Sequence, residues 1–476
     1  MRLANPLKDR FTFGSFIMKP TSAPPVASGS LAGAWTLTVF LCIAMIVSIV
    51  DRFALALVID PIKLRFALSN TQIGQLQGLA FGMFYAVLGI PCGWLADRWS
   101  RRWTILLGLL IWGVATAACG LATSFPQLLV ARMLVGAGEA ALAPAGYAII
   151  HERFPAGKRN AAISLFQVGA VIGSGSAFYV VGGLYDHLKS LGGVSLPVVG
   201  ALAAWQATFI CVALPAIVLL PLLAYALRGE RTVSRTAGSS PVDGSMATDG
   251  TSLKSFLASN WAFLGTLYVG MSGLLTLNYS LLSWIPTIFG REFHWTPGEI
   301  GRPYGLIVLI SCAASMLVAG TLADAIQKKA SYAATLRIPG VAALIAFPVL
   351  GLFYMAQTPV AVLASTAVLH ALCTCAVGVA PALIQSQTPA QLRSRVSAIY
   401  VLLVNICGLS IAPLLVGFAV DQLPAGGAAL RVGVTLVGVL ALAISAGLFS
   451  TYLLLQSRRS QAPQALDGNL SQSDTQ

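Results

Sequence analysis

Apolar residues in this chain gather into long unbroken runs. They show neither the alternation of a half-buried strand nor the narrow stripe of a soluble helix. A run of roughly 20 residues is long enough to carry an α-helix across a hydrocarbon core of about 30 Å. In the first half such runs lie near 34–58, 72–92, 103–122, 127–150, 160–183 and 203–227. In the second half they lie near 258–285, 300–322, 334–356, 359–384, 396–420 and 430–455. The pattern predicts an all-α polytopic membrane protein with about twelve transmembrane helices. Pro and Gly within the runs are compatible with this, since neighbouring helices satisfy freed backbone groups. The polar stretches divide the chain into an N-terminal segment at 1–33, a bundle at 34–227, a linker at 228–257, a second bundle at 258–457 and a tail at 458–476 expected to be disordered. Residues 1–30 hold no apolar core, so the first run is expected to act as the insertion signal.

The polar positions repeat. Residues 93–102 read Gly-Trp-Leu-Ala-Asp-Arg-Trp-Ser-Arg-Arg, and 320–329 read Gly-Thr-Leu-Ala-Asp-Ala-Ile-Gln-Lys-Lys, an offset of 320 − 93 = 227. Thr71-Gln-Ile-Gly74 and Gly298-Glu-Ile-Gly301 echo each other at the same offset. Phe-Pro-Ala-Gly-Lys-Arg at 154–159 matches Thr-Pro-Ala-Gln-Leu-Arg at 388–393, with 389 − 155 = 234, and Phe166 then falls opposite Tyr400. The echoes precede the second span, follow it, and follow the fourth span of each half. This register suits two pseudo-symmetric six-helix halves repeated in parallel, the layout of a rocking secondary transporter.

Composition agrees. The chain is 57% hydrophobic and 9% charged, against about 25% charged in a soluble domain. Its +13 net charge is distributed unevenly. One set of loops holds Arg98, Arg101, Arg102, Arg153, Lys158, Arg159, Arg228, Arg393 and Arg395, while the opposite set holds only Lys63, Arg65, Lys189, Arg291, Arg302 and Arg431. The bias places both termini in the cytoplasm of a plasma (inner) membrane. No basic cluster interleaves with aromatics, so nucleic acid is not an expected partner. The eight cysteines are scattered with no CxxC spacing, which points to neither disulfides nor metal. With no nucleophile–His–acid set and no phosphate loop, an enzyme is not expected, and no cofactor is implied.

Four charges fall at mid-membrane depth: Asp51, Arg52, Arg132 and Glu139. Each costs several kcal/mol facing lipid, so each needs a partner or a wet cavity. Arg132 and Glu139 lie seven positions apart, two turns along one helical face and about 10 Å along the axis. Asp51 and Arg52 diverge by about 100°, so one can face a central cavity while the other pairs between helices. The network either fixes helix packing alone or forms a proton and substrate site. In the second case, protonating one acid leaves a net positive cavity that favours an anion, and losing the proton releases it. The second half lacks such charges. Asn278 stands at offset 227 from Asp51, and Tyr279, Trp284, His370, Tyr400 and Asn405 are further cavity candidates. Helical aromatics more often pack than bind, and a lone His in an apolar helix is more often hydrogen-bonded structure than a relay. Gly169, Gly173 and Gly175 suit close helix packing. Gly93 permits a tight turn where the second span ends.

Gly93, Leu95, Asp97, Arg101 and Arg102 resemble the hallmark loop between helices 2 and 3 of the major facilitator superfamily, and Arg132 and Gly136 resemble its helix-4 signature. Within it the chain is most similar to the spinster-like group, through Val-Asp-Arg-Phe at 50–53, Ala-Arg-Met-Leu-Val-Gly-Ala-Gly-Glu-Ala at 131–140 and the Gly-rich helix at 169–175. The resemblance implies the major facilitator fold, alternating access, and a cytoplasmic gate locked by Asp97, with Arg101, Arg102 and the second-half Asp324 around it. It also implies a lysolipid- or sphingolipid-like cargo, coupled protons and a monomer. Gly173-Ser174 stands where drug–proton antiporters of the superfamily have Gly-Pro. Proton symport of small organic acids such as sugar acids or aromatic acids is the alternative. A non-transporting sensor would need an added soluble domain. Substrate identity and direction of transport stay open.

Overall fold

A computed structural model describes residues 31–197, 200–228, 252–328, 332–424 and 426–473. Most of the N-terminal segment 1–33 and of the linker 228–257 lies outside them. The first half contains α1 (Leu31–Leu57), α2 (Asn70–Arg98), α3 (Arg101–Leu121), α4 (Phe125–Arg153), α5 (Ala156–Ser190) and α6 (Ala204–Ala226). The second contains α7 (Trp261–Glu292), α8 (Pro297–Gln327), α9 (Arg337–Met355), α10 (Pro359–Gln387), α11 (Arg393–Asp421) and α12 (Ala429–Ser473). Eleven described helices are long and apolar enough to cross a membrane. The twelfth by position is α7, 32 residues long. Ser272, Thr276, Asn278, Ser280 and Ser283 dilute its apolarity, and all are buried. Helix α7 is therefore an inner helix, packed against α12, α10 and α11 rather than lipid.

Each half is a bundle: α1 lies on α5, and α3 on α4 and α6, while α12 lies on α7 and α9, and α10 on α8 and α9. The halves meet along two crossings, α5 on α8 and α2 on α11. The chain departs from the expected elements in several places. Helix α5 runs beyond its expected 160–183 at both ends. A small antiparallel hairpin, β1 (Val194–Leu196) with β2 (Gly200–Leu202), joins it to α6. Gly192, Gly193 and Gly200 take up the left-handed backbone that this hairpin needs (φ 74°, 98° and 83°). Two helices widen into π turns, α2 over Gln75–Met83 and α11 over Asn405–Ile411. Helix α4 is interrupted at Ala140–Ala141, between Glu139 and Leu142. The backbone of α12 continues as helix across 458–473, where a disordered tail was expected. Extending a helix that already exists requires only propagation, and Gln, Ala and Leu favour it.

Candidate functional site

The four mid-depth charges come together where α1, α3 and α4 meet. Close approach makes this possible. A Cβ on Gly138 of α4 would lie 2.6 Å from the Trp112 backbone nitrogen, and one on Gly108 of α3 would lie 2.7 Å from Gly138 O. With α3 held that near, Trp112 Nε1 and Thr116 Oγ1 both donate to Asp51 Oδ2. Arg132 Nη1 stands 3.7 Å from Asp51 Oδ1, and its Nη2 donates to the Arg52 carbonyl at 3.3 Å. Two turns along α4, Glu139 Oε2 accepts from Arg52 Nη2 at 2.9 Å and from Ser48 Oγ at 2.7 Å. The result is two crossed ion pairs, Asp51–Arg132 and Arg52–Glu139.

The pairs differ in setting. Asp51, Arg132 and Glu139 are buried, whereas 9% of the Arg52 side chain stays exposed. Asp51 is thus held inside the first half, and Arg52 is the member directed outward. Its guanidinium lies 4.9 Å from the Phe81 ring centroid and 4.5 Å from that of Tyr85, within reach of the ring quadrupoles. It also interacts electrostatically with Tyr279 of the other half. Asp51 Oδ1, Glu139 Oε1, Arg52 Nε and Arg132 Nε are buried without a hydrogen-bond partner among the described residues. A charged site with this much unmet hydrogen-bonding capacity calls for an explanation beyond packing.

The second half answers with a neutral cross-link between the matching helices. His370 Nδ1 lies 2.8 Å from Asn278 Oδ1, and His370 Nε2 lies 3.0 Å from Tyr304 OH. One tautomer satisfies both: Nδ1–H donates to Asn278 and Nε2 accepts from Tyr304. The Tyr304 ring packs on Phe178 of α5 at 4.6 Å. The other second-half candidates do not converge with this group. Trp284 is fully buried and donates to Pro413 O at 3.2 Å. Tyr279 packs over Gly408, and Tyr400 tilts against Tyr268 at 5.9 Å. Asn405 opens the π turn of α11, its carbonyl accepting from Ser410 Oγ at 3.3 Å.

At the face carrying the basic loops, Asp97 and Asp324 are exposed. Arg101 pairs with Glu152 of its own half, and Arg102 lies 5.4 Å from the Trp103 ring. Gly93 does not form a turn. Helix α2 continues past its apolar run to Arg98, and a Cβ on Gly93 would make only ordinary contact with Pro144. At the opposite face the halves are clasped. Arg291 donates to Asp60 at 2.7 Å and to Asn70 at 3.2 Å. Asp421 receives Thr71, and Asp186 receives Gly298. Burial and the nearby Arg291 guanidinium hold Lys63, which donates to Asn70 at 2.7 Å, below the ordinary lysine range. Gly169 and Gly173 seat α5 on α1, where added Cβ atoms would lie 2.6 Å from Cys42 O and 2.8 Å from Ile49 Cβ. Gly175 seats α5 on α8, 2.6 Å from Gly305 O.

Sequence reasoning missed Ser48, Trp112 and Thr116, because hydroxyls and indoles are common in apolar helices. It also took Arg431 for a loop charge. Arg431 is buried at the start of α12, pairs with Glu292 at 3.1 Å and donates to Ala356 O. Charged residues therefore do enter the second-half helices, at their ends.

The comparisons with known proteins follow this geometry. An efflux pump described as MFS-type from Mycolicibacterium smegmatis is 29% identical over 298 residues, 62% of this chain and 64% of that protein. Protein spinster of Drosophila melanogaster is 31% identical over 156 residues, 33% of this chain and 26% of that protein. This chain thus aligns with less than two thirds of the length of either relative. A crystal structure of a bacterial homolog of the human lysosomal transporter Spinster, inward-facing and unoccupied, superimposes with a TM-score of 0.74 at 22% identity, covering 90% of this chain and 97% of that one. The sequence model of the Major Facilitator Superfamily matches residues 41–413. With twelve helices in two clasped halves and a charge cluster inside the first, the chain belongs to the Major Facilitator Superfamily.

Proposed function

We propose that the protein is a secondary transporter working by alternating access, with protons coupled to an amphipathic or lipid-like anion. The observation that carries this reading is the Arg52–Glu139 pair. Arg52 is the one cation of the quartet with exposed side-chain surface, and its acid partner is sealed behind it. When Glu139 takes up a proton, Arg52 loses its counter-charge and becomes an anion-binding group, backed by the Phe81 and Tyr85 rings. When the proton leaves, Glu139 reclaims Arg52 and the anion is released. Asp51–Arg132 stays paired within the bundle and holds α4 in place.

An apolar cavity of about 470 Å³ between α8, α9 and α10, lined by residues such as Ala314, Val318, Leu322 and Ile345, with Arg337 among them, favours a cargo with a hydrocarbon part. The small-acid alternative calls for a second cation at membrane depth facing the first, and Asn278 and His370 offer none. The exposed Asp97 and the clasped opposite face correspond to a state open to the cytoplasm, with both termini on that side of the plasma membrane. Such a bundle functions as a monomer.

The test is uptake into proteoliposomes across a panel of lysolipids and organic acids, with and without a pH gradient. Glu139→Gln keeps size and hydrogen bonding but cannot titrate. It is expected to abolish pH-gradient-driven uptake in a protein that remains folded. Gradient-driven uptake at the parent rate would remove Glu139 from the coupling step.

A further inference from the structure

The echo of Thr71-Gln-Ile-Gly74 in Gly298-Glu-Ile-Gly301 marks the starts of α2 and α8, and at both the chain does the same thing. Ser69 caps α2 and Thr296 caps α8. Each forms a reciprocal capping box with the residue three positions on, Gln72 and Glu299 respectively. Each helix start then receives a carboxylate from the other half. Asp421, at the end of α11, accepts from the backbone N–H groups of Asn70 (3.0 Å) and Thr71 (2.7 Å), and from their side chains at 2.8 and 2.6 Å. Asp186, near the end of α5, accepts from the Gly298 backbone N–H at 2.9 Å and from Thr296 Oγ1 at 2.5 Å.

The two contacts are equivalents under the internal repeat. The donors differ by 298 − 71 = 227 and the acceptors by 421 − 186 = 235. The same two offsets recur one turn further along. A Cβ on Gly74 would lie 2.6 Å from Pro413 O, and one on Gly301 would strike Phe178 O, with 301 − 74 = 227 and 413 − 178 = 235. Each glycine lets its helix start lie directly on the opposing helix, which brings the carboxylate within reach of the free N–H groups. Those groups and the helix dipole favour a negative charge there, and hydrogen bonds to a charged acceptor are the stronger kind.

We propose that Asp186 and Asp421 are the paired latches that keep the face opposite the basic loops shut, and that both must let go before that face opens. The assignment rests on the alternating-access reading above. The two latches are not equal. Asp421 takes four hydrogen bonds and Asp186 takes two, so the α2–α11 latch is the stronger. An asparagine at either position keeps the shape, but its amide nitrogen faces a donor and its charge is gone.

The experiment is a distance measurement in the full-length protein between spin labels at Leu64→Cys and Ala428→Cys, which are exposed on that face in opposite halves. It is made without substrate or a pH gradient, so its outcome stands apart from the uptake assay. Asp186→Asn/Asp421→Asn is expected to add a population at longer distance. Asp421→Asn alone should give a larger share of it than Asp186→Asn alone. Thr71→Ala removes a single side-chain donor, leaves both carboxylates in place and should give a smaller shift of the same sign. Distance distributions that superimpose on the parent for both the double variant and Thr71→Ala would overturn the proposal.

Discussion

Arg52→Met is the sharpest probe of the charge cluster. Methionine fills much of the same volume beside Phe81 and Tyr85 but leaves Glu139 buried, with Ser48 Oγ at 2.7 Å as its remaining donor. Removing one partner of a buried ion pair destabilises by roughly 3–5 kcal/mol, because the surviving charge has no compensation. In a bundle of about 200 residues, each kcal/mol lowers the melting temperature by roughly 2–4 °C. The single variant should therefore melt about 6–20 °C lower than the parent. Adding Glu139→Gln removes the stranded carboxylate, and replacing a whole buried pair with neutral groups is often close to neutral. The double variant should regain most of the loss, a coupling of at least about 2 kcal/mol between contacting residues. Detergent-solubilised protein followed by thiol-reactive dye or intrinsic fluorescence gives the melting curves. If Arg52→Met and Arg52→Met/Glu139→Gln melt together, well below the parent, the two residues are not energetically paired and the proposed exchange of Arg52 between Glu139 and an anion fails with them.

Two further expectations follow from the helix contacts and the basic face. Gly173→Leu places its Cβ 2.8 Å from Ile49 Cβ and should destabilise by roughly 1–3 kcal/mol through overpacking; Gly183→Leu, on the same helix with nothing within 4 Å, should stay near the parent melting temperature. Asp97→Asn touches an exposed carboxylate, so its melting temperature should be unchanged, within about 0.5 kcal/mol. It should nevertheless shift label distances across the basic face toward the open state, and unshifted distances would make Asp97 a loop charge only.

How much was readable in advance depended on the cost of being wrong about a residue. Asp51, Arg52, Arg132 and Glu139 were conspicuous because an ionised group inside an apolar run is too expensive to be incidental. Their pairing was not readable. It depends on Gly108 and Gly138 bringing α3 and α4 together, and glycines of this kind are frequent in membrane helices. Gly93 misled because the end of an apolar run is not the end of a helix; α2 leaves the apolar zone and still completes another turn to Arg98. The repeat at 71–74 and 298–301 was visible as a pattern, but its meaning lay in Asp186 and Asp421, acids at helix ends that look like ordinary solvated charges until the partner half is placed beside them. The π turns leave no mark in a hydrophobic pattern, since adding one residue to a turn changes neither composition nor overall length.

Those π turns bear on how the two crossings can move. In α2 and α11 the widened segments meet, with Gly78 and Gly82 set against Ser410. A π turn has already given up the regular i→i−4 ladder, so flexing there sacrifices no further backbone bond. Each of these helices behaves as two stiff levers joined at a crease, one lever ending at the Asn70–Asp421 contact and the other reaching the basic loops through Arg98 or Arg393. The partner crossing has no crease: α5 and α8 run as unbroken α-helix over Ala156–Ser190 and Pro297–Gln327. Two interfaces that are equivalent by descent are therefore unlike as machinery. One folds like a knee, and the other turns as a rigid axle.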